Sequence, residues 1–262
     1  MKIPIYQADA FTNQLFGGNP AAICPLEDWL TDELLQKIAM ENNLSETAYL
    51  VKQGKDFQIR WFTPATEVKL CGHATLAASH VLYSQLGYEG NQIVFHSKSG
   101  ALTVTKLEGN QLMLDFPATI AVADPHPPHS ITEGLGIDNV PIFKTDFDYM
   151  VVVPSQKVLE GLSPDFKVLA QTASRGVIVT AKGDEADFVS RCFYPQSGID
   201  EDPVTGSAHT ILIPYWAGQL RKTKMTAIQL SKRRGYLDCE LHGDRTYMSG
   251  TAVLFMKGEI EI

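Results

Sequence analysis

The feature that most constrains the fold is an internal repeat, spaced half a chain length apart. Residues 56–64 (DFQIRWFTP) return as residues 187–195 (DFVSRCFYP), 131 positions later in a chain of 262. The Asp, the first Phe, the Arg, the second Phe and the Pro match without a gap. Such a repeat predicts a fold built from two copies of one unit. A pseudo-twofold pairing of the copies would place equivalent turns on opposite sides of a cleft.

Each copy of the repeat runs into a turn of small residues and then into an apolar helical stretch. The turns are residues 71–75 (CGHAT) and residues 202–207 (DPVTGS), and the predicted helices cover residues 74–86 and 207–217. Backbone N–H groups at a helix N-terminus are unpaired and the helix dipole is positive there, which suits a carboxylate or a phosphate. The alternative is that Thr75, Thr205 or Ser207 only caps its helix.

The order of predicted elements favours an α+β fold with two domains. Short strands and hairpins surround one apolar helix in each half, which predicts a curved mixed sheet wrapped around a central helix, twice over. Residues 117–130 contain four prolines and no periodicity, so they are interpreted as a linker. The predicted domains are residues 1–118 and 119–262, with a last strand that can cross back to the first domain. No phosphate-binding glycine loop of the nucleotide-binding folds is present.

Composition excludes several function classes. The net charge of −8, with no extended cluster of Lys and Arg, argues against nucleic acid as a partner. No transmembrane run and no apolar N-terminal leader occur, which predicts a protein without membrane contact. Four widely spaced cysteines without a CxxC pair predict a reduced, cytoplasmic chain with no metal site. They are Cys24, Cys71, Cys192 and Cys239.

Three residues stand out as candidates for chemistry. His73 lies between a glycine and a helix start, Glu46 lies between a helix and a strand, and Asp202 lies in the second turn. Taken singly, each residue also has a non-catalytic explanation. His73 could be a hydrogen-bonded structural histidine, Glu46 a surface glutamate, and Asp202 part of a solvated acidic loop. Alignment of the two halves places Arg175 or Val177 opposite Glu46, and neither is an acid. This asymmetry favours one base that shuttles a proton over two bases working from opposite faces of a carbon.

These residues belong to a set of motifs that together resemble the PhzF-like phenazine biosynthesis family. The resemblance spans almost the whole chain, and the motifs occur in the family's order. They are Asp9-Ala10-Phe11, Phe16-Gly17-Gly18-Asn19-Pro20, Ser45-Glu46-Thr47-Ala48, Phe62-Thr63-Pro64, Cys71-Gly72-His73-Ala74-Thr75 and Asp202-Pro203-Val204-Thr205-Gly206-Ser207-Ala208.

The resemblance implies the diaminopimelate epimerase fold, in which two pseudo-symmetric lobes each wrap a curved sheet or barrel around a central helix. It implies an isomerase that uses no cofactor and shifts a proton within a small unsaturated substrate bearing a carboxylate, such as trans-2,3-dihydro-3-hydroxyanthranilate. It also implies a homodimer. By position in the motifs, it assigns acid/base catalysis to Glu46 and supporting catalytic roles to His73 and Asp202. The implied substrate-binding residues are Gly72, Ala74, Gly206 and Ser207.

Two alternatives remain open. The same fold hosts amino-acid racemases and epimerases that use two cysteines, and Cys71 resembles the first of those thiols. Its ungapped counterpart in the second half is Asp202, so a thiol pair is missing. The chain could instead be a small-molecule binding protein that has lost turnover. Glu46 argues against that role, because an anion beside the site does not help to bind a carboxylate.

Overall fold

The computed structural model describes all residues from 1 to 262 and contains eighteen strands and six α-helices. The strands are β1 (Lys2–Ala10), β2 (Asn19–Leu26), β3 (Glu46–Gln53), β4 (Asp56–Phe62), β5 (Glu67–Val68), β6 (Gln92–Ser97), β7 (Gly100–Lys106), β8 (Leu112–Pro117), β9 (Val122–Ala123), β10 (Ile142–Lys144), β11 (Asp148–Val152), β12 (Gly176–Lys182), β13 (Phe188–Tyr194), β14 (Ile199–Asp202), β15 (Lys224–Gln229), β16 (Gly235–His242), β17 (Arg245–Gly250) and β18 (Ala252–Glu261).

The helices are fewer and mostly short. They are α1 (Asp32–Asn42), α2 (Gly72–Ser84), α3 (His129–Leu135), α4 (Gln156–Glu160), α5 (Phe166–Leu169) and α6 (Gly206–Leu220). None of the six has the length and apolar composition needed to cross a bilayer. Many strands and few helices make this the α+β architecture that the sequence predicts.

The chain divides into two compact units. The first contains Met1–Phe116 together with Tyr247–Ile262, and the second contains Pro117–Thr246. In the first unit, β18 pairs antiparallel with β1 over the whole of β1. The C-terminal strand therefore belongs to the sheet of the N-terminal segment.

The two units repeat the same pattern of strand pairing. In the first, β1–β2 is antiparallel, β2–β3 parallel, β3–β4 antiparallel, β4–β6 parallel and β6–β7 antiparallel. In the second, β10–β11, β11–β12, β12–β13, β13–β15 and β15–β16 follow that sequence of directions. The strands that carry the sequence repeat, β4 and β13, are called the repeat strands. Each also pairs antiparallel with a short strand, β4 with β5 and β13 with β14. The predicted duplication is thus present at the level of the backbone.

The register corrects the alignment around Glu46. Phe62 pairs with Thr47 in the first unit, and Phe193 pairs with Val177 in the second. Phe62 and Phe193 are 131 positions apart, whereas Thr47 and Val177 are 130 apart, because the second hairpin holds one more residue. The counterpart of Glu46 is therefore Gly176, and the prediction of Arg175 or Val177 was wrong by one position.

No side chain fits at Gly176. A Cβ atom there would lie 2.2 Å from the ring of Tyr194 and 2.6 Å from the carbonyl oxygen of Phe193. Both contacts are shorter than van der Waals packing allows. The second unit consequently has no group equivalent to the Glu46 carboxylate, as the sequence asymmetry indicates.

The repeated arginine makes the same interaction in both units. Arg60 on β4 donates to both carboxylate oxygens of Glu67 on β5, at 2.8 Å each. Arg191 on β13 donates to both oxygens of Glu201 on β14, at 2.7 and 2.9 Å. Each guanidinium also lies over the ring of the second repeat phenylalanine, with the carbon 5.1 Å from the centroid. This Arg–Glu clamp fixes the short strand that precedes each central helix.

Helix α2 is the core of the first unit. It is apolar on nearly all sides, and residues from Gly72 to Ser79 are buried. A helix without a polar face must be surrounded, and α2 packs against β1, β2, β3 and β18. It begins two residues before the predicted start at 74 and ends at Ser84, three residues before Gly87.

Helix α6 occupies the same place in the second unit. It is also apolar around its circumference and packs against β15 and β16. The short helices α3, α4 and α5 contribute Ile131, Leu135, Leu159 and Leu169 to the core over β11, β12 and β13.

The predicted linker is only partly a connection. Within residues 117–130, Val122 and Ala123 pair with Lys144 and Phe143 on β10, and α3 begins at His129. The prolines lie outside the two paired residues, which is where a residue without an N–H can be accommodated.

Replacement of Arg60 by Lys tests the clamp. Lysine keeps the charge but cannot make two parallel bonds, so we expect a loss of roughly 1.5–3 kcal/mol in the free energy of unfolding, measured with urea. The hydrogen bonds from Arg60 lower the pKa of Glu67. This stabilisation is therefore present at neutral pH and is lost as the pH falls through the folded-state pKa, so the difference should shrink in acid.

The control is Lys37→Gln, which breaks the exposed pair between Lys37 and Glu33 on α1. That change should alter the unfolding free energy by about 0.5 kcal/mol or less. Equal losses in the two variants would show that the clamp contributes no more than a surface ion pair.

Candidate active site

Glu46 is the first residue of β3 and is held from both sides along the chain. Before it, α1 begins after its N-cap Thr31 and ends at the C-cap Asn43, which adopts the left-handed conformation at φ 49°. After it, β3 runs parallel to β2, with Glu46 opposite Ala21. The side chain is 14% exposed. The carboxylate is thus largely buried but still reachable from solvent.

His73 is the second residue of α2, and its side chain is 5% exposed. Its Nε2 atom lies 3.2 Å from Oε2 of Glu46. The two atoms are not aligned for a hydrogen bond, and neither has a hydrogen-bond partner in the protein. An acid/base pair is therefore buried with one polar atom of each residue available to a third group.

The other ring nitrogen of His73 is occupied. Nδ1 lies 3.1 Å from Nδ2 of Asn19 and 3.5 Å from Sγ of Cys71. Asn19 is fully buried at the start of β2. The residue before it must be glycine, because Gly18 has φ +59° and a Cβ there would lie 2.1 Å from the carbonyl oxygen of Ala10. This constraint sets the position of the Asn19 amide against the ring.

Burial and charge shift the pKa values in this group. Burial raises the pKa of the Cys71 thiol to about 11, and the charge of Glu46 adds to the effect. For His73, burial alone lowers the pKa, but Cys71 and Glu46 together outweigh it and hold the pKa well above its ordinary value. With its pKa near 11 the thiol is uncharged at neutral pH, so Glu46 is the group that favours the imidazolium there.

Three different donor types meet at this point, which the sequence does not indicate. One oxygen of Glu46, Sγ of Cys71 and one nitrogen of His73 all lie within 4.8 Å of one another. Carboxylate, thiolate and imidazole are all ligands of Zn²⁺. The predicted absence of a metal site came from cysteine spacing alone, and spacing does not register a carboxylate on a separate strand.

A second polar group surrounds Asp202 in the second unit. Asp202 ends β14 and is 8% exposed. The hydroxyl of Thr205 donates to its Oδ2 at 2.5 Å. Buried Gln229 accepts from the backbone N–H of Thr205 at 2.8 Å and donates to the backbone carbonyl of Asp202 at 2.8 Å. One glutamine side chain therefore closes the turn between β14 and α6.

The predicted binding residues lie at the first turns of the two central helices. Gly72 begins α2 with Ala74 two residues later, and Gly206 begins α6 with Ser207 next to it. The preceding residues, Cys71 and Thr205, make no side-chain capping bond, and neither first turn carries an acidic residue. The alternative that Thr205 merely caps its helix is thus not observed.

The strand register also shows that the residue predicted to correspond to Cys71 in the second unit was wrong. Val68 pairs with Trp61 in the first unit, and Asp202 pairs with Cys192 in the second. Asp202 therefore corresponds to Val68, and the cap residue Cys71 corresponds to Thr205. The ungapped alignment with Asp202 was wrong, because the second unit has three additional residues between the repeat strand and the short strand.

Sequence reasoning missed the supporting residues Asn19 and Gln229. Asn19 belongs to the Phe16–Pro20 motif, and its position directly after two glycines was the only sequence feature that pointed to a special role. Gln229 carries no local signal, since its role depends on β15 passing beside the turn at Thr205. Both residues act through buried amide groups that satisfy or orient a neighbour.

Replacement of Gln229 by Leu should cost roughly 2–4 kcal/mol of unfolding free energy. The change leaves the N–H of Thr205 and the carbonyl of Asp202 without their partner in a buried turn. Denaturant unfolding measures the loss, and Gln53→Ala, at an exposed position on β3, is the control. Equal stability of the two variants would contradict the role assigned to Gln229.

Comparison with known proteins places the chain in a family. A family model described as phenazine biosynthesis-like protein (PhzC-PhzF) matches residues 8–258. An uncharacterized isomerase of Pseudomonas aeruginosa is 49% identical over 265 residues, covering 100% of both chains. An uncharacterized isomerase of Halalkalibacterium halodurans is 46% identical over 263 residues, covering 99% of both chains.

Solved structures agree with the observed fold. The crystal structure of a PhzF-family phenazine biosynthesis protein from Enterococcus faecalis matches with a TM-score of 0.96 at 44% identity, covering 100% of both chains. A predicted epimerase of Pseudomonas aeruginosa matches at TM-score 0.74 and 16% identity, over 98% of this chain and 99% of its own. The latter likeness concerns the fold alone, and it confirms the predicted epimerase-like α+β class. The chain belongs to the PhzC-PhzF family of phenazine biosynthesis-like proteins, and the isomerase class predicted for it is confirmed.

Proposed function

We propose that this protein is a cofactor-independent isomerase in which Glu46 moves a proton within a small unsaturated carboxylate substrate. The observation that carries the proposal is the buried pair of Glu46 and His73, with 3.2 Å between Oε2 and Nε2. Neither atom makes an aligned hydrogen bond in the protein. Buried polar atoms normally have partners, so an unsatisfied pair of this kind supports a substrate that supplies them.

Glu46 is proposed as the general base and then the general acid. Its carboxylate takes a proton from a carbon made acidic by conjugation, and the electron pair moves into the conjugated system. The same carboxyl group returns the proton to another carbon, so no oxidant, reductant or cofactor is consumed. A positioned acid/base group contributes about 10²–10⁴-fold to a rate. The lack of a second carboxylate at Gly176 supports a single base that shuttles the proton.

His73 is proposed to stabilise the charge that develops on the substrate. The Glu46 carboxylate beside it favours the protonated ring, so its Nε2–H can donate to a substrate oxygen next to Glu46. Asn19 and the backbone of α2 keep the ring in place. The first turn of α2, from Gly72 to Ala74, offers backbone N–H groups and the positive end of the helix dipole to a carboxylate.

The remaining assignments rest on the family resemblance and are part of the same proposal. Asp202 would orient a polar substituent of the substrate, and Gly206 and Ser207 would bind its carboxylate. We propose trans-2,3-dihydro-3-hydroxyanthranilate as the first compound to test, a homodimer as the assembly, and the cytoplasm as the location. The two units are proposed to be the two epimerase-like lobes predicted from the sequence.

Glu46→Gln is the direct test of the mechanism. Glutamine keeps the shape of the side chain but cannot accept the proton, so turnover should fall by about 10²-fold or more while ligand binding persists. Proton NMR in D₂O with trans-2,3-dihydro-3-hydroxyanthranilate and related unsaturated carboxylates measures turnover and solvent exchange. The matched control is Glu41→Gln, at an exposed position on α1. A Glu46→Gln protein with near-normal turnover would exclude Glu46 as the base.

The racemase alternative is not favoured by the site. Such an enzyme needs two thiols at equivalent helix caps, and the residue equivalent to Cys71 is Thr205. The pKa of Cys71 near 11 also leaves little thiolate at neutral pH, and the thiolate is the reactive form.

Thiol reactivity checks this conclusion. All four cysteines are buried, and burial raises the pKa of each one. The native protein at pH 7.5 should therefore resist iodoacetamide, and all four thiols should react after denaturation, as counted by mass spectrometry. Rapid modification of Cys71 in the native protein, with loss of activity that substrate prevents, would revive the racemase alternative.

A further inference from the structure

We propose that Glu46, Cys71 and His73 form a binding site for a thiophilic divalent cation, Zn²⁺ in the first place, and that occupancy of this site switches the enzyme off. The binding part of this inference stands on the donor geometry alone. The inhibitory part rests on the proposed function, because it requires Glu46 to be the base.

One separation between the donors matches that of a tetrahedral zinc site, and the third donor lies nearby. Zn–N and Zn–O bonds of about 2.0–2.1 Å and Zn–S bonds of about 2.3 Å imply ligand–ligand distances of roughly 3.3–3.6 Å. The distance between Nε2 of His73 and Oε2 of Glu46 is 3.2 Å. The donor atoms of all three residues lie within 4.8 Å of one another. The sulfur of Cys71 lies 3.5 Å from Nδ1 of the same ring, so its side chain has to rotate toward Nε2 to complete the site.

Two of the ligand atoms are available and already desolvated. Nε2 of His73 and Oε2 of Glu46 are buried and have no hydrogen bond in the protein. A metal ion that binds them breaks no aligned hydrogen bond and replaces only the direct contact between the two atoms. The imidazole is more than nine-tenths buried, so its orientation is set by packing before any ion arrives.

The second nitrogen of the ring faces an amide group that can supply the partner that a metal-bound histidine needs. A histidine bound through Nε2 carries its proton on Nδ1 and donates it to an oxygen, which fixes the ring. Asn19 places its amide nitrogen, Nδ2, 3.1 Å from Nδ1. An asparagine amide offers an acceptor oxygen as well as a donor nitrogen, so rotation of this group supplies the acceptor.

The donor set selects the class of ion. Thiolate and imidazole favour Zn²⁺ and its soft analogue Cd²⁺, whereas Mg²⁺ and Ca²⁺ prefer sites made only of oxygen. Binding replaces the thiol proton of Cys71 and any proton on Nε2 of His73. Two negative ligands then balance the charge of the divalent ion, so no net charge is buried. Three protein ligands leave one coordination position for water or a substrate carboxylate.

The consequence for catalysis follows from the ligands. An ion that takes the carboxylate of Glu46 removes the proposed base, and an ion that takes Nε2 of His73 removes the proposed donor. Cys71, which the proposed isomerisation does not use, would then be the residue that makes the site respond to metal. This gives the buried thiol at the cap of α2 a function apart from turnover.

Cadmium titration of the purified apo-protein tests the binding without any substrate. Cd²⁺ bound to a thiolate produces a charge-transfer absorption in the near ultraviolet, and added Zn²⁺ should remove it by competition. We expect one equivalent of Cd²⁺ per chain in the wild type. In Cys71→Ser the absorption should vanish, and Zn²⁺ affinity measured by calorimetry should fall roughly tenfold or more. Cys24→Ser, which changes a buried cysteine outside the cluster, should retain both signals.

Each outcome decides the proposal. Absorption that persists in Cys71→Ser, or no absorption in the wild type, overturns it, as does Zn²⁺ affinity unchanged in Cys71→Ser. If Cys71→Ser does not fold, Glu46→Gln at the partly exposed end of the site replaces it, with weaker Zn²⁺ binding expected and unchanged binding contradictory. Metal binding without isomerase activity on any substrate would leave this site standing and remove the proposed function instead.

Discussion

The Arg–Glu clamp is the interaction on which the rest of the structure depends. In each unit a guanidinium from the repeat strand holds a carboxylate on the short strand through two hydrogen bonds, and that short strand leads directly to the N-terminus of the central helix. The helices α2 and α6 are apolar on all sides and have no polar face to orient them. Their starting points are therefore set by the connection that the clamp holds rather than by their own amphipathicity.

From this common framework the two units diverge in chemistry. The first places a carboxylate, an imidazole and a thiol around the start of α2, whereas the second places Asp202, Thr205 and Gln229 in a fully bonded turn at the start of α6. Glycine at position 176 removes the counterpart of Glu46. The duplication thus supplies two similar scaffolds, and the unsatisfied polar atoms of the Glu46–His73 pair belong to one of them.

The buried group in the first unit links the two proposals. Burial suppresses ionisation of Cys71, while the acid Glu46 and the base His73 lie 3.2 Å apart without an aligned hydrogen bond between them. Such a pair is costly to bury unless a third group completes it. A substrate with a carboxylate and an acidic C–H completes it in one way, and a thiophilic cation completes it in another. The same lack of partners therefore supports both catalysis and inhibition.

The sequence by itself determined the duplication, the α+β class, the family and the residues of the first turns, because identical positions at one spacing and ordered motifs are local properties of the chain. The counterparts of Glu46 and Cys71 could not be read from it, since one extra residue in a hairpin and three before a short strand shift the register without changing the local pattern. Only the tertiary structure placed Asn19 against His73, Gln229 across the turn at Thr205, and Glu46 beside Cys71. Those contacts depend on which strands lie next to each other, and that is decided by packing around a buried helix.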